Sequence, residues 1–77
     1  NWARLGKCES HNNPRAVSRG GLYHGIFQFS LTAWKSVGGT GKPSQASAAE
    51  QLMRAKLLYA KRGASPWPHC GRLLFTD

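Results

Sequence analysis

Acidic side chains are nearly absent from this chain of 77 residues. Three carboxylates, Glu9, Glu50 and Asp77, stand against 11 Lys and Arg residues, which gives a formal net charge of +8. A charge of this size favours a polyanionic partner, such as nucleic acid, an anionic membrane or an acidic cell-wall polymer, and does not distinguish among them. The scarcity of carboxylates also limits which side chains could act as acids or bases in a reaction.

The chain also lacks a long apolar run, an apolar signal segment and an initiator Met. No transmembrane segment is therefore predicted, and we expect the chain to be a mature domain excised from a longer product. Its length fits a single domain over residues 1–77. Because a domain this small buries only about 60% of its unfolded surface, its apolar core is marginal and a covalent link is expected.

Cysteine is scarce too, with Cys8 and Cys70 near opposite ends of the chain. Their spacing has no C-x-x-C character, which favours a disulfide over a redox or zinc-ribbon motif. Such a bond would remove about 4 kcal/mol of unfolded-state entropy and would indicate an oxidising, extracytoplasmic setting. Two unpaired buried thiols remain the alternative.

Cys8 and His11 have C-x-x-H spacing, and His24, His69 and Cys70 could complete a zinc site. The neighbouring positions of His69 and Cys70 would make it difficult for both to reach one tetrahedral ion. We therefore favour the disulfide and predict no metal and no cofactor.

Capping signals predict three helices. Asn1 precedes a segment in which Trp2, Leu5 and Glu9 share one face, and Ser30 precedes a short helix that ends before Gly38. The longest helix begins after Ser47, which forms an S-x-x-E capping box with Glu50, and ends at Gly63. These boundaries leave loops between the helices.

The segment "LYHGIFQF" at 22–29 is aromatic and β-branched, which predicts a short extended segment or hairpin. Gly25 in its middle predicts a bend or a close approach of another group to the backbone. We expect the preceding segment 11–21, rich in Asn, Pro, Ser and Gly, to be a loop.

Elimination makes Glu9 the candidate acid. Glu50 has a capping role, and Asp77 is the last residue, where order is least expected. Burial on the face shared with Trp2 and the negative end of the helix dipole should both raise the pKa of Glu9, while Arg and Lys neighbours would oppose this shift. A carboxyl that stays protonated near neutral pH suits a general acid. The alternative is a partly exposed Glu9 paired with an Arg.

A mixture of aromatic and amide side chains suggests a sugar-binding surface, because flat apolar faces pack on sugar rings and amides bind hydroxyl and N-acetyl groups. Some of the aromatic residues must instead form the core, and Trp34 is expected to be largely buried. The mixture consists of Tyr23, Phe27, Gln28, Phe29, Ser30, Trp34, Gln51 and Trp67.

Taken in order, "WARLGKCES", "GIFQF", "AWKSVGG", "QASAAEQL" and "WPHCGR" resemble the catalytic domain of the resuscitation-promoting factors, the transglycosylase-like domain of the lysozyme superfamily. The resemblance covers nearly the whole chain. It implies a compact lysozyme-like fold (mainly α, with a minimal extended segment), one disulfide between Cys8 and Cys70, and cleavage of peptidoglycan glycan strands. The catalytic glutamate of the family falls on Glu9, and its groove residues fall on Tyr23, Gln28, Trp34 and Gln51.

The chain departs from the family pattern in the region of these groove residues. Ile26 stands where a second glycine is expected, and "ESHNNPRAVS" is one residue longer and more similar to soluble lytic transglycosylases. Ala33 occupies a position where many members carry a Thr, although Thr32 is adjacent. We include Thr32 and Ser30 among the expected substrate-binding residues.

The resemblance and the single available carboxylate together predict cleavage between N-acetylmuramic acid and N-acetylglucosamine with Glu9 as the only acid and base. Either a 1,6-anhydro product or hydrolysis would be consistent with this scheme. Expected partners are peptidoglycan glycan strands and anionic wall polymers, with no nucleic acid and no membrane, for a monomer in the cell wall or outside the cell. The domain also occurs in phage virion proteins, which is the alternative origin. Rival functions are a non-catalytic peptidoglycan-binding module and, from basicity alone, a nucleic-acid-binding domain.

Overall fold

The computed structural model describes residues 1–76, so the interpretation of Asp77 as a poorly ordered terminal acid lies outside the described residues. Three α-helices dominate the architecture: α1 (Trp2–Ser10), α2 (Leu31–Ser36) and α3 (Ala48–Arg62). Short 3-10 turns lie at Arg19–Gly21, Pro43–Gln45 and Gly71–Phe75. The three helices predicted from the capping signals and the mainly helical fold implied by the resemblance are both confirmed.

Each helix begins at the predicted cap. The Asn1 side chain accepts a hydrogen bond from the Arg4 amide at 3.2 Å at the start of α1. Ser30 and Ser47 start α2 and α3 in the same way, each with its hydroxyl accepting at 3.1 Å from an amide three residues later. These bonds satisfy amides that would otherwise lack a partner in the first turn, which is why the boundaries could be predicted from local sequence.

The segment 22–29, predicted as a short extended segment or hairpin, forms a tight antiparallel turn and no regular strand. His24 and Phe29 exchange two backbone hydrogen bonds of 2.9 Å, and His24 also forms a bridge with Val17, so the described residues have isolated β-bridges in place of a strand. Gly25 opens the turn between His24 and Phe29 with φ 83, a conformation that favours glycine. A Cβ atom at Gly25 would collide with the amide of Gln51, so the predicted bend and the predicted close approach both occur.

Aromatic packing connects α1 to the rest of the core. The Trp2 ring makes edge-to-face contacts with Phe27, Tyr59 and Trp67, each with ring centroids 5.7 Å apart. Trp67, held between two prolines, is buried, and its indole Nε1 donates to the Phe27 carbonyl at 3.0 Å. The turn at 25–28 and the segment after α3 are thereby fixed against each other.

A disulfide joins Cys8 in α1 to Cys70, with a Cα–Cα distance of 6.0 Å. It confirms the predicted link and excludes the alternative of two free thiols. Both sulfurs are oxidised, so neither is a thiolate ligand for zinc, and residues 1–76 contain no cluster of three potential metal ligands. No helix in this part of the chain is both long and apolar enough to cross a membrane.

Candidate active site

Glu9 lies near the end of α1 between two residues that are each tied to another segment. Cys8 is bonded to Cys70, and the Ser10 hydroxyl donates to the Ile26 carbonyl at 2.7 Å. The backbone on both sides of Glu9 is thus fixed by long-range contacts. Such fixation is what a reacting group needs to keep one geometry.

Burial raises the pKa of the Glu9 carboxyl above its ordinary value, and the charge of His69 opposes this rise. The predicted direction and the predicted effect of burial are confirmed, but the opposing cation is a histidine and not an Arg or Lys. No hydrogen bond or ion pair within the described residues 1–76 ends on the Glu9 carboxylate, so the alternative of an Arg-paired Glu9 is wrong. Glu9 is partly buried and still reachable by solvent.

A cleft of about 180 Å³ contains three of the predicted binding residues: Tyr23, Gln28 and Ser30. Gln28 has φ 52, and its amide nitrogen donates to the Gly25 carbonyl at 3.0 Å, which fixes the side chain on the turn. Its amide oxygen has no donor among the described residues and is therefore available to a ligand. The cleft is lined by both apolar and polar side chains, a combination that is common in ligand-binding sites. The other lining residues are Phe29, Ala33, Leu58, Arg62, Ser65, Pro66 and Trp67.

The segment 67–70 connects this cleft with Glu9. Trp67 lines the cleft, His69 acts on the charge of Glu9, and Cys70 is bonded to the residue before Glu9. Glu9 itself is not among the cleft-lining residues. The carboxyl and the cleft are therefore two features held by the same segment, and a ligand that reaches both must extend beyond the cleft.

The expectation of direct ligand contact does not hold for Trp34 and Gln51, because both are completely buried. The Trp34 indole donates to the Thr40 carbonyl at 3.1 Å beneath α2, as its expected core position implies. Gln51 forms hydrogen bonds with backbone groups of three loop segments: the Ile26 amide and the carbonyls of Pro14 and Ala46. Trp34 and Gln51 therefore hold loop backbone in place from within the core and do not present a surface to a ligand.

Thr32 is exposed on α2 but does not line the cleft, so its proposed contact with substrate needs a ligand that extends along that helix. A larger, more open cleft of about 680 Å³ lies between Pro14, Arg15 and the segment 44–48. None of the predicted site residues lines it. Its size alone does not assign it a role.

Sequence reasoning missed Arg62 and Ser65 as cleft residues. Arg62 is the last residue of α3 and lines the same cleft as Tyr23 and Gln28. The available signal was its position five residues before Trp67, which places it at the start of the segment that closes the cleft.

The fold and the site together define a small disulfide-bonded helical domain in which one segment holds both the partly buried Glu9 carboxyl and a polar and aromatic cleft. The chain belongs to the transglycosylase-like domain family, whose sequence model matches residues 1–70. The resemblance inferred from sequence motifs is therefore confirmed.

Among curated proteins, the chain is 44% identical over 73 residues to resuscitation-promoting factor Rpf of Micrococcus luteus, covering 95% of this chain and 32% of that protein. It is 38% identical over 71 residues to resuscitation-promoting factor RpfC of Mycobacterium tuberculosis, covering 92% and 50%. It is also 37% identical over 76 residues to resuscitation-promoting factor Rpf1 of Corynebacterium glutamicum, covering 95% and 39%. The chain thus spans about a third to a half of the length of these relatives.

Proposed function

We propose that residues 1–77 form one domain that cleaves peptidoglycan glycan strands between N-acetylmuramic acid and N-acetylglucosamine. Membership of the transglycosylase-like family supports a glycan substrate. The observation that carries the proposal is the Glu9 carboxyl, whose pKa is raised by burial and which has no hydrogen bond or ion pair within residues 1–76. A raised pKa keeps a carboxyl protonated and able to donate to a leaving oxygen.

The distribution of carboxylates argues against a second catalytic acid in the described part of the chain. Glu50 lies on α3 with its carboxylate 3.3 Å from the Arg54 guanidinium, and no other carboxylate besides Glu9 occurs in residues 1–76. Ordinary glycosidases use two carboxylates that flank the scissile bond. A single carboxylate must act first as acid and then as base.

In this mechanism Glu9 donates its proton to the glycosidic oxygen while the bond from that oxygen to the muramoyl C1 breaks. The electron pair of that bond stays with the leaving sugar, and an oxocarbenium-like centre forms at C1. The Glu9 carboxylate then accepts a proton from the muramoyl 6-hydroxyl, whose oxygen attacks C1 and gives the 1,6-anhydro product. If water takes the place of that hydroxyl, the result is hydrolysis.

We further propose that the domain acts as a monomer outside the cell, in contact with the cell wall. The disulfide supports an oxidising compartment. The net charge of +8 would attract the carboxylates and phosphates of anionic wall polymers. The bacterial origin of the relatives described above favours this setting over a phage virion.

The test is Glu9→Gln with Glu50→Gln as the matched control. Both remove one carboxylate, but Glu50→Gln only breaks a surface pair on α3 and should keep activity. Glu9→Gln should lower turnover of purified peptidoglycan at least about 100-fold with an unchanged circular dichroism spectrum. Mass spectrometry of the released muropeptides then distinguishes anhydro ends from reducing ends.

An active Glu9→Gln variant would refute the assignment. A wild-type protein that binds insoluble peptidoglycan without cleaving it would instead indicate a binding module. Retention on DNA together with no action on peptidoglycan would indicate the nucleic-acid alternative.

A further inference from the structure

Arg62 is held at the edge of the cleft by the way α3 ends. The Ser65 hydroxyl and amide both donate to the Arg62 carbonyl, at 2.8 and 3.4 Å. The Gly63 amide donates to the Tyr59 carbonyl at 2.7 Å and closes the helix with φ 62 at Gly63. These bonds fix the backbone from which the Arg62 side chain lines the cleft beside Tyr23.

The Arg62 guanidinium is not used by the fold. Two other basic residues of α3 do have partners within the protein. The Lys61 ammonium donates a hydrogen bond to the Ser36 carbonyl at 2.7 Å, and the Arg54 guanidinium pairs with the Glu50 carboxylate at 3.3 Å. Within residues 1–76 no hydrogen bond or ion pair involves the Arg62 side chain. Arg62 is exposed, so its guanidinium can bind a group of a ligand.

Arg62 is also the only charged residue that lines this cleft. The remaining polar groups there, on Tyr23, Gln28, Ser30 and Ser65, are neutral. Neutral amide and hydroxyl groups can bind any sugar, whereas a planar guanidinium binds a carboxylate through two parallel hydrogen bonds. The cleft therefore combines general sugar contacts with one group that selects for an acid.

We propose that Arg62 is a specificity-determining residue that binds a carboxylate carried by the glycan substrate. This inference rests on the proposed function of the site and extends it from the bond that is cleaved to the residue that recognises the acidic muramoyl side chain. In peptidoglycan, a carboxylate is present on the lactyl group of an unsubstituted muramoyl residue and on the peptide attached to that group. The shared chemistry is a carboxylate on or next to the muramoyl side chain.

The experiment measures dissociation constants by NMR titration in the Glu9→Gln background, so that no ligand is turned over. Three ligands are compared: a neutral chitooligosaccharide, a muramoyl disaccharide with a free lactyl carboxylate, and the same disaccharide carrying a peptide with carboxylates. Each is titrated against the Glu9→Gln parent and against Arg62→Gln, Arg62→Lys and Lys56→Gln added to it. Lys56 is the matched control because it lies on the same helix and lines a different surface, beside Met53 and Leu57.

Arg62→Gln should weaken binding of an acidic ligand about tenfold, as expected for a charge-assisted hydrogen bond at a partly exposed site, and change the neutral ligand less than about twofold. Arg62→Lys should recover part of the loss because it keeps the charge without the planar fork. Lys56→Gln should leave all three constants unchanged. Which of the two acidic ligands loses affinity tells whether Arg62 binds the lactyl or the peptide carboxylate.

Equal losses for neutral and acidic ligands, no loss in Arg62→Gln, or an equal loss in Lys56→Gln would each overturn the inference. So would a parent protein that binds none of the ligands. Because the readout is binding, these outcomes are separate from the failure of the proposed reaction, which is measured by turnover of the wild-type protein.

Discussion

Gln51→Met should cost more stability than an ordinary surface change, although it alters no group proposed to react. Methionine is similar to glutamine in length but lacks the amide. In the native protein that amide accepts from the Ile26 amide at 2.7 Å and donates to the carbonyls of Pro14 and Ala46 at 3.0 and 2.9 Å. The substitution leaves all three backbone groups without this partner.

The magnitude follows from these three bonds. A buried polar group left without a partner costs about 1–3 kcal/mol. For three such groups, two of them only part-buried, we expect the free energy of unfolding to fall by about 3–6 kcal/mol. Domains of this size have a free energy of unfolding on the order of 5–10 kcal/mol. Because 1 kcal/mol corresponds to about 4–8 °C in melting temperature for such a domain, the midpoint should fall by at least about 12 °C.

Differential scanning calorimetry of the oxidised protein measures this loss, with Gln45→Met as the matched control. Gln45 is exposed, and its amide oxygen accepts a single bond from the Lys42 amide at 3.3 Å. The control should melt within about 4 °C of the wild type, because an exposed bond contributes little. If Gln51→Met also melts within that range, the buried amide network does not hold the loops, and the explanation given for the burial of Gln51 is wrong.

The remaining predictions concern the disulfide and the charge of Glu9. Replacing Cys8 and Cys70 by Ser, which opens a loop with a sequence separation of 62, should lower the free energy of unfolding in urea by about 4 kcal/mol; a difference below about 1 kcal/mol would contradict the entropic account. His69→Gln should raise the pKa of Glu9 further and move the alkaline limb of the pH–rate profile to higher pH, whereas His11→Asn should not move it. Because burial raises the folded pKa of Glu9, its ionised form is destabilising, so Glu9→Gln should melt at a higher temperature than wild type at neutral pH. This gain should disappear below the ordinary pKa of 4.5, and a gain that persists in acid would refute the desolvation argument.

The helices could be predicted from sequence because their determinants are local. Asn1, Ser30 and Ser47 each cap the helix that follows, and these interactions reach only three residues along the chain. Gly25 was equally informative, since a positive φ and a close neighbour both require the absence of a Cβ atom. The β-propensity of the surrounding segment gives only one antiparallel pair, because the two hydrogen bonds between His24 and Phe29 close a turn before a strand can form.

Burial of polar residues could not be predicted in the same way. Gln51 lies on a helix, where an amide is ordinarily exposed, and it is buried because three loop segments distant in sequence converge on it. The cation that acts on Glu9 is similarly set by tertiary structure. Arg and Lys outnumber His in the chain, yet the charge that opposes the raised pKa belongs to His69, which the segment after Trp67 brings close.

Stability and the proposed chemistry depend on one short segment. Trp67 contributes to the core through its contact with Trp2 and to the cleft as a lining residue. Cys70 closes the disulfide directly before the turn at Gly71–Phe75, which binds the chain's amino terminus. The amino group of Asn1 donates to the carbonyls of Leu73 and Leu74 at 2.9 and 2.6 Å. The beginning of α1 is therefore held to this part of the chain by hydrogen bonds, and its end is held by the disulfide. Reduction of the disulfide should therefore loosen the end of α1 that carries Glu9 more than its beginning. Activity should then be lost at lower denaturant concentration than the helical circular dichroism signal.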